Sequence, residues 1–324
     1  MTGASGFLGR RTVEILVKRG FSVRALVRKT SRIDHLRLNN VAVVYGDVTD
    51  SESLRSAFEG VDYVIHAAAD TSGSLEGGRL TTIQGTRNVL DLCDLHQVKK
   101  LIYISTCSVY GIAEYADQQL VDEGAALEPF PEQRGAYSWA KLEAEKLVAR
   151  FMTDGKTPVV CLRPGTIYGP GGENYTPMIG FSLRDKIFTV IGSGEFVMPL
   201  VYVDNLVEAI LVAMTQEQSA GEVYTVVDPQ RIDKKRYMES FIRKLHPSAL
   251  VFYLPYSLLA AAVALQEKVF GILKHKPILT SYRLVSSQKP VFYDASKIMK
   301  QLGWRPAVCF EEAVARIIAG EPGK

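Results

Sequence analysis

The chain has 324 residues, 47% of them hydrophobic and 23% charged, with a formal net charge of +3. That length suits one large globular unit, or a nucleotide-binding unit with a smaller companion, and the scattered basic residues exclude a nucleic-acid binder. Cys93, Cys107, Cys161 and Cys309 form no CxxC pair, which points to reduced thiols in a cytoplasmic protein rather than to a disulfide framework or a metal knuckle.

In chain order, the first pattern is Thr2-Gly-Ala-Ser-Gly-Phe-Leu-Gly9, whose glycines open a helix over Arg10 to Arg19. No basic-then-apolar leader opens the chain. A sheet strand should feed such a loop, yet only Met1 precedes it. The expectation is that the recorded start is late and the first strand absent, which the intact mass of the natural protein would check. Strands follow at 21–27, 41–45, 61–66, 101–105 and 159–163, with helices at 51–58 and 86–96 between them. Short β-rich runs alternating with helical patterns predict an α/β fold, a doubly wound parallel sheet of Rossmann type. A dinucleotide-binding domain is assigned to 1–170 and a substrate-binding part to 171–324, interleaved as one compact unit. Within the second part, 249–265 is apolar and uncharged but carries Pro255 and is short for a membrane span. It is read as a helix buried in the fold, ahead of the alternative of one lying on a membrane surface.

The glycine loop carries the first chemistry. Gly3, Gly6 and Gly9, with Ser5, Phe7 and Leu8 between them, would let the backbone approach a pyrophosphate seated on the helix N-terminus. About 20 residues on, an NAD-binding chain places a carboxylate for the ribose hydroxyls. Val27 stands there instead, and Arg28, Lys29 and Arg32 follow. Cations at that point suit a 2′-phosphate, so NADP is preferred and NAD is the alternative.

Tyr137 and Lys141 lie four residues apart on a predicted helix, hence on one face. A nearby cation favours the phenolate, and such a pair can exchange a proton with an alcohol or ketone as hydride moves. Upstream, Ser105 to Gly111 ends an apolar strand with hydroxyls able to bond a substrate oxygen. His66, His96 and His246 are far apart and read as structural, with no metal called for.

These motifs together resemble an extended short-chain dehydrogenase/reductase, the family that also holds NAD-dependent epimerases and dehydratases. The likeness runs over the whole chain. It rests on Thr2 to Gly9, Gly46 to Val48, His66 to Ala69, Gly85-Thr86, Ser105 to Gly111, Tyr137 to Lys141, Leu162 to Gly165, Tyr168 to Pro170 and Val201 to Asn205. The resemblance implies that Asp47 and Val48 border the adenine and that Ala67, Ala68 and Ala69 line the cofactor. It further implies that Thr106, Tyr137 and Lys141 form the catalytic triad, with Lys141 also on the ribose. Pro164, Gly165 and Thr166 would touch the nicotinamide side. Thr82 departs from the family, which commonly carries Asn three residues before that Gly-Thr.

Several positions separate the branches. Cys107-Ser108 follows Thr106 where dehydratases carry Asp-Glu, so elimination lacks its carboxylates, and Cys107 is read as a packing residue rather than a nucleophile. Thr166 and Met198-Pro199 stand where epimerases carry Asn and Arg-Asp, which speaks against a nucleotide sugar. The segment from Leu254, with Phe292 to Asp294 and Leu302 to Pro306, is similar to the 3β-hydroxysteroid dehydrogenase-like branch, where an apolar helix would cover the pocket. The expected function is hydride transfer between nicotinamide and a secondary alcohol or ketone on a hydrophobic, sterol-like small molecule. A nucleotide-sugar epimerase is second and a non-catalytic dinucleotide-binding regulator third. The helices at 86–96 and 137–151 allow a homodimer.

Overall fold

The computed structural model describes residues 1–275 and 277–320; residues 276 and 321–324, within the span 171–324, lie outside the described residues. Helix α1 (Phe7–Lys18) starts from an extended Gly6 with no side-chain cap, so its first N–H groups stay free for a ligand. Strands β1 (Val23–Val27) and β2 (Val41–Tyr45) follow, then α2 (Ser51–Phe58), capped by the Asp50 carboxylate. Next come β3 (Tyr63–His66), a π-helical turn at 78–84 running into α3 (Gly85–Leu95), β4 (Lys100–Ile104), α4 (Ala136–Asp154) and β5 (Val159–Pro164). Every residue of β4 and β5 is buried, as expected of parallel strands covered on both faces.

The later half supplies β6 (Thr166–Tyr168), β7 (Gly180–Leu183), β8 (Ile187–Ile191), β9 (Leu200–Tyr202), α5 (Val203–Thr215) and β10 (Val223–Val226). After these come β11 (Leu250–Leu254), α6 (Tyr256–Ile272), α7 (Ser281–Gln288) and α8 (Phe310–Ile318). The main sheet runs β10–β5–β4–β3, parallel throughout, so its outermost strand comes from beyond residue 170. One hydrophobic cluster joins Ala4, Val13 and Ile104 to Tyr202, Met238 and Trp304. The Val201 to Asn205 and Gly303-Trp304 motifs tie this junction. Arg11 Nε donates to Asp204 at 2.5 Å, and Trp304 Nε1 to the Asn205 carbonyl at 3.0 Å.

The pair β1–β2 stands apart from the main sheet, and between β1 and β3 only Met1 and Thr2 bridge the gap among the described residues. Leu26 N donates to Met1 O at 2.9 Å and Thr2 N to Ile65 O at 3.0 Å. Beside Met1 the gap continues as a trough of about 730 Å³, lined by Leu16, Val23, Ile65 and Met214 among others.

The apolar segment differs from its expectation. It divides into strand β11 and helix α6, and within α6 only Val263 is buried. Helix and strand carry the same apolar composition whether they face a core or solvent, so composition alone could not tell the two apart. No helix among the described residues is long and apolar enough to cross a membrane.

Candidate active site

The C-terminal ends of β1, β3, β4 and β5 open onto a cleft of about 610 Å³. Gly3, with φ +68°, packs so closely on Ala67 and Ala68 that a Cβ would lie 2.8 Å from the Ala67 carbonyl carbon. At Gly9 a Cβ would stand 2.0 Å from Gly3 O. Neither position admits a side chain, and the loop they form leaves an uncapped helix end facing the cleft. These features fit a dinucleotide pyrophosphate. Ser5, Gly6, Phe7, Leu8, Arg28, Asp47, Val48, Ala67, Ala68 and Ala69 line the same cleft, as do Thr106, Tyr137, Lys141, Pro164 and Gly165. Thr166 does not: its N–H is spent on Pro199 O at 2.6 Å, and Ile167 lines the cleft instead.

His66 is locked beneath this floor. Its Nδ1 meets Thr2 Oγ1 at 2.7 Å and its Nε2 meets Thr86 Oγ1 at 3.0 Å, and burial lowers it to about 3, so it stays neutral. Thr82 takes a structural role, accepting the Asp70 N–H at 2.9 Å and the Thr86 hydroxyl on its carbonyl at 2.6 Å. No cluster of His, Cys, Asp and Glu able to hold a metal occurs among the described residues.

Tyr137 and Lys141 share one face of α4 beside the end of β4. Burial pushes the Tyr137 phenol up, offset in part by a hydrogen bond with Thr106. Lys141 is buried; its ammonium donates to Ile104 O at 2.6 Å, and desolvation lowers it to about 8. In this arrangement desolvation is the larger influence on the phenol, ahead of the Thr106 hydrogen bond. Thr106 Oγ1 accepts the Ser108 N–H at 3.1 Å, which fixes the hydroxyl at the start of a short turn. Beneath it, Ser105 bonds Glu145, whose Oε1 also accepts from Arg163 Nε at 2.9 Å. Cys107 is buried with its thiol pushed up by desolvation and donating to Arg163 O at 3.3 Å, a placement that suits a packing residue.

Tyr137 also borders a second, outer cavity of about 420 Å³. Ile112, Met178, Phe196 and Tyr293 make its apolar wall, while Arg134, Arg283 and Lys289 bring positive charge, and no Asp or Glu among the described residues lines it. Arg134 lies 3.4 Å from Glu128 and Lys289 lies 3.0 Å from Asp117. Arg283 has no ion-pair partner among the described residues. Ser108 Oγ, on the same wall, is buried without a hydrogen-bond partner among the described residues. Helix α6 contributes nothing to either cavity, so the expected apolar pocket cover is absent; the cover is α7, with Arg283, Ser286 and Ser287. Met198 is buried and does not border the outer cavity, so the arginine missing at that position is not what sets the charge of this cavity. Sequence reading missed Arg134, Arg283 and Lys289, because isolated basic residues far apart in the chain carry no local signal.

A profile of the NAD dependent epimerase/dehydratase family matches residues 1–226. The chain is 27% identical, over 98% of its length and 98% of the relative's, to a 2-alkyl-3-oxoalkanoate reductase of Stenotrophomonas maltophilia. It is 30% identical, over 98% of its length and 78% of the relative's, to 3beta-hydroxysteroid-dehydrogenase/decarboxylase isoform 1 of Arabidopsis thaliana. Among solved structures, the crystal structure of gox2253 superposes with a TM-score of 0.81 at 25% identity, covering 98% of this chain and 96% of that one. Matches at this coverage, on a chain whose cleft fits a dinucleotide, make the protein a nicotinamide-dinucleotide-dependent dehydrogenase, reductase or epimerase. It belongs to the NAD dependent epimerase/dehydratase family, as an extended short-chain dehydrogenase/reductase.

Proposed function

We propose that the protein moves hydride between NADP(H) and a secondary alcohol or ketone on a hydrophobic, sterol-like molecule that carries an acid group. The observation that carries this reading is that Tyr137 borders both cavities, so one phenol faces the dinucleotide cleft and the substrate wall. The dinucleotide, when bound, supplies or accepts the hydride. In reduction Tyr137 gives its proton to the carbonyl oxygen, and in oxidation it takes the alcohol proton. Thr106 holds that oxygen in line, and Lys141 supports the ribose. Val27 in place of a carboxylate, with Arg28 on the cleft wall, supports NADP(H) over NAD(H).

The apolar wall with Arg283 at its rim supports a hydrophobic body bearing a carboxylate. The name of the bacterial relative fits this, since a 3-oxoalkanoate carries a ketone beside its carboxylate. A second reading, epimerisation of a nucleotide sugar, draws on the same cations, which would equally suit a diphosphate. Buried free thiols at Cys93, Cys107 and Cys161 support a cytoplasmic setting. A homodimer through α3 and α4, which pack side by side, belongs to the same proposal.

The test is to titrate NADPH and NADH separately, then follow NADPH oxidation with sterol-like ketones, long-chain 3-oxo acids and uridine diphosphate sugars. NADPH binding with ketone reduction that Tyr137→Phe abolishes is the expected result. Binding of NAD(H) alone, strengthened only by a nucleotide sugar, overturns it in favour of the epimerase.

A further inference from the structure

Among the described residues, more than half of the large hydrophobic side chains left exposed lie in two stretches, 181–183 and 250–278. The first stretch and β11 belong to one small sheet, β11–β8–β7. Its register places Leu183, Ile187 and Leu250 in one row and Phe181, Thr189 and Phe252 in the next. Both rows lie on the same face, because alternate residues of a strand point the same way. Phe181, Leu183, Leu250 and Phe252 are all exposed there, while Phe188 and Val190 on the opposite face are buried in the core.

Helix α6 continues from this sheet after Pro255. Leu258, Ala262, Leu265, Val269 and Ile272 recur at alternating steps of four and three and share one stripe. All five are exposed, Ile272 at 81%. The adjoining stripe, Leu259, Val263, Gln266 and Phe270, holds the helix to the protein, with Gln266 bonding Ile278 N and Leu279 O. The helix thus turns its more apolar side outward, the reverse of a surface helix on a soluble core.

Exposed cations ring these surfaces. Arg184 and Lys186 flank the β7–β8 turn, Arg243 and Lys244 precede β11, and Lys268 and Lys274 lie on and just beyond α6. None of them has a carboxylate partner among the described residues. Asp185, Asp233 and Glu239 are acids near these surfaces, and Glu267 is bonded to Ser281. We propose that the outer face of the β7–β8–β11 sheet and the outer stripe of α6 dock the protein on an anionic lipid bilayer, with the helix lying in the headgroup plane. Apolar anchors with unpaired cations around them match that surface. Pairing with a second copy would instead set the same unpaired cations against each other.

The experiment is flotation of the full chain with vesicles of phosphatidylcholine alone or mixed with phosphatidylglycerol. The wild-type protein should float with the mixed vesicles, less with the neutral ones, and less again in high salt. The triple variant Leu258→Glu, Leu265→Glu and Ile272→Glu, and separately Phe252→Glu, should lose about tenfold or more of this binding. Because these side chains are exposed, unfolding midpoints should hold, and Leu95→Glu on α3 should bind as wild type does. Wild-type protein that fails to float with the mixed vesicles, or variants that float equally well, overturns the proposal. So does light scattering that reports a dimer broken by the same variants, which would assign the face to a second copy.

Discussion

The Lys141 ammonium donates to the Ile104 carbonyl at 2.6 Å, so the cation that follows Tyr137 by one helical turn is tied to the end of β4. Burial holds this ammonium down to about 8, against an ordinary value of 10.5. Between those values the unfolded chain keeps the proton that the folded chain has released. The unfolded state then binds more protons, and stability rises as pH rises through that window. Lys141→Met should flatten this rise, read as the urea midpoint between pH 8 and 10.5 for both proteins. A variant whose midpoint climbs as steeply as that of the wild-type protein refutes it.

Arg28 lines the cleft beside Val27, with no carboxylate partner among the described residues. Arg28→Ala should weaken NADPH by about ten- to a hundredfold, the worth of a charge-assisted hydrogen bond to phosphate, and leave NADH within a few-fold. Fluorescence titration of each cofactor reads the difference; equal losses for both would make Arg28 a general contributor to the cleft rather than a selector.

Arg283 stands against Gly135, where a Cβ would lie 3.5 Å from its guanidinium carbon, and Tyr137 is two residues further along the chain. On the proposed reaction, a carboxylate seated on Arg283 would therefore lie close to the carbonyl that Tyr137 protonates. The wild-type enzyme should prefer a 3-oxo acid to its methyl ester, and Arg283→Gln should remove that preference. The expected change is about tenfold or more in KM for the acid, with NADPH affinity unchanged. Equal use of acid and ester by the wild-type enzyme removes Arg283 from substrate recognition.

Glu145 and Arg163 form a buried pair under Thr106, with side-chain exposures of 5% and 7%. Glu145→Ala leaves the guanidinium buried without its partner and should destabilise the protein by about 3–5 kcal/mol. Chemical denaturation checks this, and a loss below about 1 kcal/mol would mean that water or a shifted side chain replaces the carboxylate. Because Glu145 also bonds Ser105, cofactor turnover should fall as well.

The phosphate loop, the strands through β5 and the Tyr137–Lys141 face were legible because each rests on a local repeat. Glycine spacing, alternation of short β-rich and helical runs, and a four-residue step are all written within a few residues. Thr82 shows the limit of that reading: its hydroxyl serves Asp70 twelve residues back, a contact that no spacing rule marks. What the sequence determined by itself is the parallel α/β frame, the dinucleotide cleft and the placing of Tyr137 and Lys141 together at its edge. The tertiary structure alone decided that Arg134, Arg283 and Lys289 converge on one wall, since their meeting depends on how α7 packs across the site. It alone decided which side of an apolar helix faces outward, because burial is a property of the neighbours a segment finds and not of its composition. It also placed Lys141 on a carbonyl where charge spacing suggested a phenol, because a desolvated ammonium takes the nearest fixed acceptor.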